Sequence, residues 1–72
     1  SENQAKWLAL LILCPKIQRD KLKARAEAGE LSEYDVALSL RIPEVIVRSL
    51  FSDYYDMYFS RFVGPEFRGQ DT

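Results

Sequence analysis

At 72 residues the chain has room for one small domain, and a core of that size is marginal without support from a metal, a disulfide or a partner. A hydrophobic fraction of 47% with 29% charged residues excludes wholesale disorder, and ten basic against eleven acidic side chains remove the global attraction to phosphate of a dedicated nucleic-acid binder. Cys14 is the single cysteine, so no internal disulfide forms, and the apolar run from Trp7 to Cys14 falls far short of the ~20 residues that span a bilayer; the expectation is a cytoplasmic protein that does not enter a membrane.

The most hydrophobic stretch comes first. Read as a helix over 3–14, it places Ala5, Leu8, Ala9 and Ile12 at spacings of three and four on one face, with Leu11 beside them and Glu2 at the head of the stripe. An acid there is also what a helix N-terminus favours electrostatically. Pro15 ends the run. From 16 to 28 strong helix formers predict a second helix. Its cations Lys16, Arg19, Lys21, Lys23 and Arg25 are spread around the cylinder, which reads as a solvated face ahead of a surface for nucleic acid or an acidic partner. Gly29 suits the left-handed residue that closes a helix.

Ser32 with Asp35 three residues on forms a capping box, and Leu31 can staple to Val36, so a third helix is expected over 33–40. Pro43, at home in a first helical turn, opens a fourth. Phe51, Tyr55, Tyr58 and Phe62 recur at spacings of four, three and four, so this last helix is expected to run unbroken over 43–62 until Gly64 and Pro65 stop it. The tail 66–72 is polar and aperiodic, with Phe67 as its one apolar anchor. The fold class is therefore all-α, a small bundle of three to four helices in a single domain over 1–65. Its expected core is Leu8, Leu11, Ile12, Leu22, Leu31, Val36, Leu40, Ile42, Val47, Leu50, Phe51 and Tyr54.

The opening stretch, Glu2-x-x-Ala5-x-x-Leu8-Ala9-x-x-Ile12-Leu13-Cys14-Pro15, resembles the closing segment of the ImmA/IrrE family of zinc metallopeptidases, whose pattern is roughly Glu-x-x-Ala-x-x-Phe-Ala-x-x-Leu-Leu-Met-Pro. The acid, both alanines and the proline match in register. Val36 to Phe51 follows the family's next segment loosely, with Ile42 for its Val, Pro43 for its Ser and Leu50 for its Arg. The resemblance implies that Glu2 is the third ligand of a zinc whose two histidines come from an upstream His-Glu-x-x-His helix. The chain contains no histidine, so those ligands and the general base are absent from it. The expectation is then a C-terminal fragment of a longer protein, of bacterial, phage or mobile-element origin. It would be inert alone and partnered by the upstream catalytic part, and the family's substrates are repressor-type proteins.

Two further readings come from the residues themselves. The tight corner between the third and fourth helices has a helix-turn-helix-like form, with Arg41 and Arg48 as the residues that would touch nucleic acid. Glu44, Val45 and Ile46 at the head of the second helix argue for packing instead. The aromatic run supplies Tyr55, Tyr58, Phe59 and Phe62 as a candidate partner surface, for another protein or for self-association into a homo-oligomer. Asp53 and Asp56 among those rings argue against stacking on nucleic-acid bases.

Overall fold

The computed structural model describes residues 2–64, the side chain of Glu2 excepted. Five helices follow one another: α1 (Glu2–Leu13), α2 (Lys16–Glu27), α3 (Glu33–Leu40), α4 (Glu44–Leu50) and α5 (Asp53–Phe62). The all-α class is as the sequence indicates. The helix count exceeds the expected three to four because the run over 43–62 breaks at Phe51 and Ser52.

Local chemistry accounts for most boundaries. Pro15 sits in extended backbone (φ -60°, ψ 159°) before α2, since a proline offers no N–H to continue α1. α2 closes in a Schellman motif: Gly29, at φ 80°, donates its N–H to the Ala26 carbonyl, and Glu30 donates to Arg25. At the start of α3 the capping box is complete. Asp35 N–H donates to Ser32 Oγ at 3.0 Å, and Ser32 N–H donates to Asp35 Oδ2 at 2.9 Å.

The break between α4 and α5 has both a local and a distant cause. Ser52 adopts extended backbone, and its hydroxyl turns back to donate to the Ser49 carbonyl at 2.7 Å, satisfying an acceptor at the end of α4. Acidic Asp53 and Asp56 then occupy the first turn of α5, where the helix dipole favours them. Two further carbonyls at the break, those of Leu50 and Ser52, accept hydrogen bonds from Arg19 on α2 at 3.0 and 2.9 Å.

α1 packs on α5, α3 on α4, and α4 on α5. The buried apolar cluster is Trp7, Leu10, Cys14, Val36, Ala37, Val47, Leu50, Tyr55 and Tyr58, with Leu11, Leu22, Leu31, Leu40, Ile42 and Phe51 packed against it. Three expected core members lie outside. Leu8 and Ile12 are on the solvent face of α1, and Tyr54 is 64% exposed. In α1 the inward stripe is Trp7, Leu10 and Cys14, one residue or two out of phase with the stripe expected. In α5 the stripe that the spacing marks, Tyr55, Tyr58 and Phe62, turns inward, and Tyr54 beside it turns out.

Candidate functional site

α1 is apolar on both faces, and among the described residues only one of them is packed. Inward, the Trp7 ring stacks on Tyr58 with centroids 5.2 Å apart, Tyr58 stacks on Phe62 at 5.9 Å, and Asn3 Nδ2 donates to the Tyr58 hydroxyl at 3.0 Å. Outward, Ala5, Leu8, Ala9, Ile12 and Leu13 face solvent, with Ile12 79% exposed. The outward residues include five of those that carry the resemblance, while Cys14, also part of it, is buried.

Apolar hollows flank this ridge. One of about 610 Å³ is lined by Ala9, Leu10, Ile12 and Leu13 with Ile42 and Ile46, and Lys6 stands at its edge. Another of about 450 Å³ lies between Leu11, Pro15, Ile17, Phe59 and Val63, edged by Lys16. Large aliphatic groups left in water beside concave apolar walls mark a surface suited to packing against further polypeptide.

Glu2 heads α1, but its side chain lies outside the described residues, as does Phe67. Among the described residues no group of three His, Cys, Asp or Glu side chains stands close enough to hold a metal ion. The sequence contains no histidine. Among the same residues no helix is long and apolar enough to cross a membrane.

The α3–α4 corner places its two arginines differently. Arg41 is exposed and adopts left-handed backbone (φ 59°, ψ 47°) at the end of α3, where the following Ile42 N–H donates to the Ala37 carbonyl. Arg48 reaches back to Glu33, Nε to Oε1 at 3.6 Å. Glu44 lies between them, lining shallow hollows shared with Arg41 on one side and with Arg48, Val45 and Glu33 on the other. The surface is of mixed charge.

Tyr55 and Tyr58, expected on a partner surface, are instead inside the core. Phe59 and Phe62 are half-buried beside them. Tyr55 is fully enclosed, and its hydroxyl donates to the Cys14 carbonyl at 2.6 Å. Burial pushes its pKa up to about 12, with the Cys14 thiol adding to the effect and Arg19 opposing it.

The side chain that sequence reasoning missed is Arg19, placed on a solvated face but 2% exposed. All five guanidinium N–H groups are used. Beyond the two carbonyls already described, Nη1 donates to Asp56 Oδ1 and Asp20 Oδ1, both at 2.9 Å, and Nη2 donates to Asp56 Oδ2 at 3.0 Å. The Tyr55 ring lies under the guanidinium at 4.5 Å. Lys16 joins the cluster, bonding both Asp20 and Asp56 at 3.0 Å. Burial opposes ionisation of Asp56 and Asp20, but the hydrogen bonds and charges of Arg19 and Lys16 outweigh it and hold both carboxyls below the usual carboxylate range. No local pattern in the sequence distinguishes Arg19 from its basic neighbours.

Comparison with protein-family models, with curated proteins and with solved structures finds no match to this chain.

Proposed function

We propose that the chain is the C-terminal helical subdomain of an ImmA/IrrE-like zinc metallopeptidase, inactive by itself, which scaffolds the catalytic part and offers Glu2 to its metal. The observation that carries this reading is the two-faced character of α1. Trp7, Leu10 and Cys14 fasten the helix to the bundle, while Ala5, Leu8, Ala9 and Ile12, four of the residues of the resemblance, face outward with no cover among the described residues. A helix that ties one domain to another needs this division. An upstream His-Glu-x-x-His helix would supply the two imidazoles and the general base, and the metal, once bound, would activate water for hydrolysis of a repressor-type protein.

The test begins with the coding sequence immediately upstream of Ser1, where a His-Glu-x-x-His motif is expected; its absence would overturn the reading. With the upstream part in hand, Glu2→Gln is expected to lower zinc content without loss of helicity, and Ile12→Asp to abolish co-purification of the two parts. A second reading, a non-catalytic interaction module, is favoured by the same exposed ridge between two apolar hollows. It predicts binding through Ile12, Leu13 and Ile17 to a separate protein or a second copy. Concentration-dependent sedimentation that disappears in Ile12→Asp would support self-association.

A further inference from the structure

α2 is attached to the bundle in an unusual way. Arg19 is its one buried side chain. Ile17 is 68% exposed, Ala24 and Ala28 face solvent, and Leu22 and Ala26 are only half-buried. Hydrophobic burial, which fastens most helices to their neighbours, contributes little here.

The counterpart of Arg19 is a formed receptor at the break between α4 and α5. The Leu50 carbonyl accepts from Nε, the Ser52 carbonyl accepts from Nη2 beside its bond from the Tyr55 N–H, the Asp56 carboxylate presents both oxygens in a fork, and the Tyr55 ring forms the floor. This geometry matches a planar guanidinium, and an ammonium cannot satisfy all four elements together. Lys16 and Asp20, also on α2, complete the charged surroundings.

We propose that the α4–α5 break is a guanidinium-binding socket and that α2 is latched to the bundle by inserting Arg19 into it, so that α2 opens as a separate unit when the guanidinium leaves. The vacated socket then accepts a guanidinium of other origin, such as an arginine side chain from a partner or a small alkylguanidinium. Opening also bares Cys14, which lies at the α1–α2 junction, is fully enclosed when the latch is closed, and is the chain's single thiol.

The inference does not rest on the proposed function and is tested on the chain itself. In Arg19→Met, hydrogen exchange of the α2 amides is expected to accelerate by about tenfold or more while α1, α4 and α5 keep their protection, and Cys14 should react faster with a thiol reagent. In Arg19→Ala, methylguanidinium is expected to restore α2 protection saturably where methylammonium at equal concentration does not. Equal effects of the two cations, or no effect of either, would overturn the socket. Unchanged α2 protection in Arg19→Met would overturn the latch, since apolar packing would then hold the helix. Should both variants fail to fold, the unaltered protein in graded sub-denaturing urea decides: α2 opening ahead of the other helices upholds the proposal, and one common opening defeats it.

Discussion

Arg41 adopts a backbone conformation that ordinary L-residues avoid, at φ 59°, and its exposed side chain makes no hydrogen bond or ion pair among the described residues. Glycine takes that conformation without the clash of a Cβ atom. Arg41→Gly is therefore expected to raise stability by about 0.5–1 kcal/mol, part of the relief being offset by the freer unfolded chain; equilibrium urea unfolding would read the change as a higher midpoint at constant slope. Tyr55 behaves in the opposite sense. Its folded pKa of about 12 exceeds the ordinary value of 10.0, so the native state holds a proton that the unfolded chain releases. Stability attributable to Tyr55 is present below pH ~10 and declines as pH climbs toward 12, and Tyr55→Phe should remove that alkaline slope at a cost of about 1–2 kcal/mol for the hydrogen bond to Cys14. An absorbance titration near the phenolate band that finds every tyrosine ionising together near pH 10 would contradict it.

Among the elements, the start of α3 is set by its own capping box, whereas the docking of α2 and the α4–α5 break engage residues far apart in the chain. Ser32→Ala removes one half of the capping box and is expected to cost about 1 kcal/mol, measurable by thermal unfolding. Asp56 belongs to the tertiary class. Its carboxyl pKa is held below 3.8 in the fold, so its contribution is complete above the unfolded value and is lost as pH falls through the folded one. Asp56→Asn should flatten the acid limb of the stability profile below pH ~4. Near neutrality it should cost about 1–2 kcal/mol, less than the loss of a fully buried partner because the Asp56 side chain is 40% exposed. A profile of unchanged shape in the variant would mean that Asp20 and the rest of the cluster carry the effect.

At the scale of the whole molecule α1 presents a buried side and an exposed apolar side. Ile12→Asp alters a position 79% exposed, so the isolated chain should unfold within about 0.5 kcal/mol of the original. Leu10→Ala, on the opposite side of the same helix, should cost about 2–4 kcal/mol. That contrast, read by urea unfolding of the two variants, separates the side that holds the fold from the side exposed to solvent. Similar costs at the two positions would show the outward side to be packed as well.

The sequence by itself determined where helices begin and end wherever the signal is local. Pro15, Gly29, the Ser32–Asp35 box and Pro43 act through atoms a few residues away, and each lies at a boundary as read. It also determined that Val36, Val47 and Leu50 are core, since each lies on a single apolar stripe of its helix. The tertiary structure alone decided which side of α1 is buried. Leu8 to Leu13 is an unbroken apolar run, so periodicity offers no phase, and the choice falls to the stacking of Trp7 on Tyr58, 51 positions later in the chain. The helix break at Phe51 and Ser52 was hidden for the same reason. The Leu50 carbonyl at the break accepts from a guanidinium 31 residues away, and the Ser52 carbonyl accepts from the same group beside its bond from the Tyr55 N–H; no pattern confined to one helix encodes a donor on another.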